Sequence, residues 1–294
     1  MAKQLQNAPI GSIELTEFLD ASSDFGFELR CLEKLLLLGF HCQHGGSYVD
    51  RVTHKARQFD IRAQKENGSL RIRCAVESKN LTESFPLLVM CVPRSRDESF
   101  HELLLSYHPD MVKPRDRYGI DVLRKNCMAS RMDHPASGYT FGGPVGKSSA
   151  QVGKGQDNLI VANDTEVFEK WSQALASAHD LADEATKDGE RHNSVFMTLI
   201  LPILVVPNGT LWKVDYSANG TRDGTPVKVD RCSFFVGRAY AAGNTMRGTK
   251  LTISHLEFVT LTGLELLTKN ILIQGNSWFP SSDVSSPPET TSRA

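Results

Sequence analysis

Apolar and polar residues recur with a helical period in the first strongly patterned stretch of the chain. Residues 25–38 (FGFELRCLEKLLLL) place apolar side chains three and four positions apart, and Gly39 follows as a C-terminal stop. This pattern predicts a helix. Its apolar stripe is predicted to consist of Phe25, Leu29, Leu32, Leu35 and Leu36.

The pattern then changes to strand-like runs. Three such runs occupy residues 40–49, 57–64 and 69–79, and an apolar run at 85–93 (FPLLVMCVP) predicts a fourth strand. Asn67-Gly68 separates the second and third runs. Both of these residues tolerate positive φ, so they predict a hairpin turn.

Residues 94–162 are irregular, with several prolines and a Gly/Ser-rich stretch, and they predict an insertion or long functional loop with a helix near 116–130. Asn163 and Glu166 then have the spacing of a helix cap, and the helix is predicted to continue to about Lys187. Its predicted buried positions are Val167, Trp171, Ala174, Ala178, Leu181 and Ala185.

The remaining chain predicts further strands and a closing helix near 261–270. The predicted strands are 195–206, 211–217, 227–236 and 251–259. The expected fold class is therefore α/β, a sheet with helices on its faces. The predicted divisions are an N-terminal arm at 1–24, a core at 25–207 interrupted by 94–162, a C-terminal β-rich extension at 208–278 packed on the core, and a disordered tail at 279–294.

Composition narrows the function classes. The 294 residues hold 33 Lys and Arg against 34 Asp and Glu, which gives a net charge of −1 and excludes a generic polycation. The N-terminus has no apolar signal-like region, and the longest apolar run, residues 196–206, is too short to span a bilayer. We therefore expect a cytoplasmic protein that does not insert into membranes.

Four residues are predicted to meet at one end of the hairpin. Asp60 lies in the second strand, and Glu77 and Lys79 project from the same face of the third strand, because strand side chains alternate. Glu28 lies within the apolar stripe of the first helix. Taken alone, Glu28 could equally reach water at the rim of that stripe.

This combination suits metal-assisted phosphate chemistry. Carboxylates form a hard oxygen site for Mg²⁺, with Mn²⁺ as an alternative, and the metal activates water and neutralises charge on a phosphate. A neighbouring lysine can orient that water or stabilise the pentavalent phosphate. The expected metal ligands are Asp60, Glu77 and Glu28, with Lys79 as the fourth catalytic residue.

Asp60 followed by Glu77-x-Lys79 resembles the PD-(D/E)XK nuclease superfamily. The resemblance implies a restriction-endonuclease-like αβββαβ core, with Asp on the second strand, the (D/E)xK motif on the third and a helical Glu matched by Glu28. Residues 47–63 (SYVDRVTHKARQFDIRA) also resemble uncharacterised stand-alone bacterial members. Phe59 stands where the motif has its proline.

Local charge adds a separate argument. Residues 51–79 hold eight Lys and Arg against three acidic residues, two of which are expected metal ligands. This balance favours contact with a phosphate backbone, although a solvated charge-alternating strand pair would show the same balance. The candidate nucleic-acid contacts are Lys55, Arg57, Arg62 and Arg73.

The expected function is hydrolysis of phosphodiester bonds in nucleic acid, with DNA favoured over RNA. The alternative is a nucleic-acid-binding or assembly module that keeps the fold and does not cut. Paired cuts on a duplex need two sites, so a homodimer is a further expectation for the nuclease.

Overall fold

The computed structural model of the protein describes residues 7–21, 23–108, 126–242, 249–273 and 278–279. Five α-helices lie within these ranges, together with one 3₁₀ turn at Arg96–Glu98. The helices are α1 Ser12–Ala21, α2 Phe25–Leu37, α3 Thr165–Ala185, α4 Asp188–His192 and α5 Leu261–Ile273.

The described strands form one large mixed sheet of 13 strands, which confirms the α/β class. They are β1 His41–Val49, β2 Ala56–Asn67, β3 Leu70–Ser78, β4 Leu87–Pro93, β5 Phe100–Ser106, β6 Cys127–Asp133, β7 Pro144–Lys154, β8 Ile160–Asn163, β9 Phe196–Val206, β10 Leu211–Tyr216, β11 Arg222–Lys228, β12 Arg231–Ala242 and β13 Thr249–Thr260. The order across the sheet is β1-β2-β3-β9-β13-β12-β7-β4-β10-β11. Strand β5 pairs with β9 and β6, and β8 pairs with β7.

The first three strands form an antiparallel unit, and the predicted hairpin joins the second and third of them. The turn between β2 and β3 lies at Asn67-Gly68, where Gly68 has a φ of 60° and Asn67 pairs with Leu70. Strand β9 pairs in parallel with the whole of β3, so β3 and β9 are central strands. Both strands are almost entirely buried, as expected for strands covered on both faces.

The prediction of a long loop at 94–162 is wrong for the part that the structure describes. This segment contributes β5, β6, β7 and β8 to the sheet. Strand β7 was hidden in sequence by its glycines and serines. At Gly146 a Cβ atom would lie 2.6 Å from Val89 and 2.8 Å from Phe234, so glycine there permits close packing and does not mark a turn. The predicted helix near 116–130 lies mostly outside the described residues, because the description resumes at residue 126. Its last predicted residues belong to strand β6, which begins at Cys127.

Helix α2 is present, but its buried face is not the predicted one. The buried residues are Phe27, Cys31 and Leu35, whereas Phe25, Leu29 and Leu36 are exposed. The helix carries apolar side chains on most of its own faces, so their spacing alone could not identify the face that packs on the sheet.

Helix α3 covers the opposite face of the sheet from α2. All of its predicted buried positions are buried except Trp171, which is partly exposed. Strand β3 shows the two faces clearly. Cys74 and Val76 belong to the hydrophobic cluster that contains the buried residues of α2 and α5, whereas Ala75 belongs to a cluster that contains buried residues of α3. Glu77 therefore faces α3.

The C-terminal part continues the same sheet. Strands β10 and β13 confirm two predicted strands, whereas the predicted strand at 227–236 is divided between the end of β11 and the first part of β12. Strand β13 pairs in parallel with the end of β9. Within the predicted arm at 1–24 the structure describes α1, whose side chains are exposed. Residues 280–294, which hold most of the predicted tail, lie outside the described residues.

Candidate functional site

Asp60 and Glu77 lie side by side on neighbouring strands. The β2–β3 register pairs Ile61 with Val76 and therefore places Asp60 opposite Glu77. Asp60 Oδ2 accepts hydrogen bonds from the backbone N of Ser78 at 2.8 Å and from its hydroxyl at 3.2 Å, and Glu77 Oε1 accepts one from the backbone N of Asp60 at 3.4 Å. The carboxylates thus bond to backbone groups beyond the point where the regular β2–β3 ladder ends.

Lys170 of α3 completes this pair, and the sequence reasoning missed it. Its Nζ lies 2.9 Å from Asp60 Oδ2, 3.1 Å from Asp60 Oδ1 and 3.4 Å from Glu77 Oε2. A signal was available, since Lys170 falls between Val167 and Ala174 in the buried stripe of α3. A lysine at such a position needs a buried anionic partner.

Burial controls the protonation of these groups. The Glu77 side chain is 1% exposed, and burial raises its pKa to about 8, with the negative charge of Asp60 adding to the rise and Lys170 opposing it. Burial lowers the pKa of Lys170, but the charges of Asp60 and Glu77 outweigh it and raise that pKa overall. The site therefore favours a positive charge between the two carboxyl groups.

Lys79 directly follows β3 and pairs with acidic residues at the starts of two helices. Its Nζ is 3.2 Å from Asp24 Oδ2 and 2.9 Å from Glu166 Oε2, so it joins the start of α2 to the start of α3. Its backbone N donates to the carbonyl of Val205. Burial lowers the pKa of Lys79, and its hydrogen bonds and ion pairs with Glu166 and Asp24 raise it to a greater extent.

Glu28 is held by a histidine. Its Oε1 lies 2.7 Å from His44 Nε2 of β1. Burial raises the pKa of the Glu28 carboxyl, and the charge of Asp60 raises it further. Glu28 is therefore electrostatically coupled to Asp60, but in the described parts of the chain no group of three or more His, Cys, Asp or Glu side chains has an arrangement that could hold a metal ion.

The two strand carboxylates fit a hard divalent cation by their chemistry. Both present oxygen atoms, both face one point, and the ammonium of Lys170 stands there as a cation between them. Asp60 and Glu77 would hold the ion. Glu28 would support it through its negative charge, which acts on the same point as that of Asp60.

A cleft of about 1070 Å³ opens next to Lys170 along the outer side of α3. Its cationic lining residues are Arg57, Lys79, Lys170 and Arg238. The Nε of Arg57 is buried and has no hydrogen-bond partner in the described structure, and Asp50 Oδ2 is 3.6 Å from it. Glu166, Glu169 and Asp50 also line the cleft, so its charge is mixed.

The four predicted nucleic-acid contacts have different surroundings. Lys55 is exposed in the loop between β1 and β2, and Arg57 lines the cleft. Arg62 and Arg73, in contrast, are 7% and 6% exposed.

The guanidinium groups of Arg62 and Arg73 are bound to acidic side chains of α3 and α4. Arg62 pairs with Asp180 at 2.8 Å and with Glu184 at 3.3 Å, and Arg73 pairs with Asp188 at 2.8 Å. Arg62 and Arg73 therefore do not lie where the predicted phosphate contacts would need them. Residues 162–190 form an acidic segment, with eight Asp and Glu against two Lys, and its helices pack on this face of the sheet.

No protein-family model, no curated protein and no solved structure matches this chain. None of the helices in the described ranges is long and apolar enough to cross a membrane.

Proposed function

We propose that this protein is a metal-dependent nuclease that hydrolyses phosphodiester bonds, with DNA as the favoured substrate. The observation that carries the proposal is the meeting of Asp60, Glu77 and Lys170 beside a cleft that also contains Arg57 and Arg238. Paired carboxylates with a cation beside a groove are suited to phosphate chemistry.

The arrangement of the elements supports the same proposal. Helix α2, strands β1, β2 and β3, helix α3 and strand β9 follow one another in space as an αβββαβ unit, with the helices on opposite faces. This is the order that the resemblance to restriction-endonuclease-like nucleases implies. The chain adds β4–β8 between β3 and α3.

In the proposed site Asp60 and Glu77 would hold Mg²⁺ or Mn²⁺. The metal supplies charge neutralisation at the phosphate and a more acidic bound water. Lys170 would leave the space between the two carboxylates when the ion binds, and its ammonium would then stabilise negative charge that develops on phosphate oxygens. Lys55, Arg57 and Arg238 would contact the phosphate backbone leading to the site.

A specific observation favours the second candidate, a binding module that does not cut. Lys79 is held by Asp24 and Glu166, and Lys170 fills the space between the acidic pair, so both lysines have anionic partners. A non-cleaving protein of this fold would retain such ion pairs as purely structural contacts.

Cleavage assays with matched lysine variants test the proposal. The substrates are supercoiled plasmid, linear duplex and single-stranded DNA, each with Mg²⁺, Mn²⁺ or EDTA. We expect metal-dependent cutting by the wild type, and a loss of about 100-fold or more in Lys170→Ala and Asp60→Asn with binding retained. Lys187→Ala, an exposed lysine just after α3, is the control and should cut like the wild type.

Lys79→Ala separates the two lysines. Loss of cutting in Lys79→Ala together with full activity in Lys170→Ala would overturn the assignment to Lys170. If no substrate is cut under any condition while DNA is bound equally with Mg²⁺ and with EDTA, the binding module is the correct reading.

A further inference from the structure

A second polar pocket lies on the opposite face of the sheet from Asp60 and Glu77. It has a volume of about 240 Å³ and is lined by the 138–144 loop and by residues of β10 and β12. Arg231 lines the pocket and pairs with Glu257 of β13. Glu257 lies on the same face of β13 as Val259, which belongs to the hydrophobic cluster that contains α2 and α5. The pocket is therefore separate from the acidic pair, which faces α3.

Three cations converge on this pocket, and two of them are neutralised. Arg231 makes a two-pronged contact with Glu257 at 2.8 and 3.0 Å, and Lys213 lies 2.7 Å from Asp215. Glu257 lies on β13, which neighbours the strand that carries Arg231. Asp215 lies on β10, the strand that also carries Lys213. Their charges are thus already matched one to one.

Arg94 is the third cation, and it is 5% exposed. Its Nη1 donates to the carbonyl of Thr140 at 2.9 Å, its Nη2 to that of Pro144 at 3.4 Å and its Nε to His255 Nε2 at 3.2 Å. All three acceptors are neutral groups. Throughout the described residues, no carboxylate lies within ion-pair distance of Arg94.

The pKa of His255 is affected by the same excess of positive charge. Burial and the neighbouring charges of Arg94, Arg231 and Lys147 together lower its pKa to about 2, so the ring stays neutral and accepts a hydrogen bond from Arg94. Lys147 itself pairs with Glu98. Counting Arg94, Lys147, Lys213 and Arg231 against Glu98, Asp215 and Glu257 leaves one positive charge without an anion.

The walls of the pocket are fixed by backbone contacts. The backbone N of Arg94 donates to the carbonyl of Gly143 at 2.8 Å, and the backbone N of Gly142 donates to the carbonyl of Arg94 at 2.9 Å. The 138–144 loop is thereby tied to the chain that follows β4. Ser233 also lines the pocket, and its hydroxyl donates to Glu257 Oε2 at 3.4 Å. A volume below the range of drug-sized ligand sites suits one small group.

We propose that this pocket binds a phosphoryl oxyanion, with Arg94, Lys213 and Arg231 as its cationic contacts. Guanidinium groups match the oxygen geometry of phosphate, and an ammonium adds a point charge. The same chemistry is offered by free inorganic phosphate and by the terminal phosphate of a nucleic-acid strand. The inference does not depend on the proposed nuclease activity.

Isothermal titration calorimetry on the full chain tests the pocket, with inorganic phosphate titrated at constant ionic strength against a chloride control. We expect saturable binding of phosphate at one site, weakened by about tenfold in Lys213→Met and weakened in Arg94→Lys. Lys228→Met is the matched control, because Lys228 lies on the adjacent β11 and also pairs with a carboxylate, that of Glu83 at 3.3 Å. It should bind phosphate like the wild type.

Short oligonucleotides with and without a 5′-phosphate distinguish the two sources. Tighter binding of the phosphorylated strand, lost in Lys213→Met, identifies a strand terminus, whereas binding of inorganic phosphate alone identifies the free ion. The proposal is overturned if phosphate gives no saturable signal beyond chloride, or if Lys213→Met and Lys228→Met bind it equally well.

Discussion

Glu77 is a buried carboxyl group whose protonation depends on its burial and on its charged neighbours. Its side chain is 1% exposed and its pKa is raised to about 8, chiefly by burial and then by the charge of Asp60. The folded protein therefore binds a proton at Glu77 that the unfolded chain releases near pH 4.5. The stability that this proton confers is complete below pH 4.5 and is lost as the pH rises through about 8.

This linkage gives a prediction for Glu77→Gln. In EDTA, the free energy of unfolding of the wild type should fall relative to that of the variant between pH 5 and pH 8, by on the order of a few kcal/mol. Urea unfolding across this range measures the difference. Glu83→Gln is the control, since the Glu83 side chain is 73% exposed. Parallel stability curves for wild type and Glu77→Gln would contradict the raised pKa.

The sequence could predict the pairing of Asp60 with Glu77 because a single tight turn sets their register. It could not predict Lys170, which lies 93 residues beyond Glu77 and reaches it only through the packing of α3 on the sheet. The same packing draws Glu166 to Lys79. Contacts fixed by a local turn were therefore accessible from sequence, and contacts fixed by docking of a distant helix were not.

At the scale of elements, the α3 and α4 segment is attached to β3 by buried ion pairs. Asp188 is 1% exposed, and its carboxylate lies 2.8 Å from both Arg71 and Arg73. Each guanidinium is itself buried in the sheet. Removing the shared carboxylate would leave two buried cations with too little negative charge.

We expect Asp188→Asn to lower the free energy of unfolding by about 3–5 kcal/mol, because breaking a buried pair leaves an uncompensated charge. Chemical denaturation measures this loss. The control is Glu190→Gln, an exposed acid on the same short helix, which should change stability by less than about 0.5 kcal/mol. A small effect of Asp188→Asn would show that Arg71 and Arg73 find other partners.

Elements with a strong apolar period were predictable, and elements with a mixed composition were not. Helix α3 and strand β9 follow their patterns closely. Strand β7 has small and polar residues because it lies between strands at a close approach, which Gly146 permits. For α2, apolar side chains on several faces left the docked face undetermined until the sheet beneath it was known.

At the scale of the whole molecule, many opposite charges of this nearly neutral chain pair with each other inside the fold. The basic strand region 51–79 and the acidic segment 162–190 face each other, and several of the basic residues are neutralised inside the fold. Local charge counts in sequence therefore overestimated the surface available to a phosphate backbone. The cations that still line an open groove are those beside α3, and the groove leads to Lys170.

The cleft should be the path of the nucleic acid, and its salt dependence tests this. In EDTA, we expect Arg57→Gln and Arg238→Gln each to weaken DNA binding for all sequences alike. Each should also reduce the slope of log affinity against log salt by about 0.7–0.9, since each removes one phosphate contact. Fluorescence anisotropy at several salt concentrations measures both quantities.

The matched control is Arg30→Gln. Arg30 is an exposed arginine of α2, on the face of the sheet opposite α3, and it is absent from the lining of the cleft. Its removal lowers the net charge of the protein by the same amount as the cleft variants. If Arg30→Gln reduces the salt slope as much as Arg57→Gln, binding follows overall charge and the cleft is not the path. If only the cleft variants reduce it, the phosphate backbone lies along α3 and approaches Asp60 and Glu77.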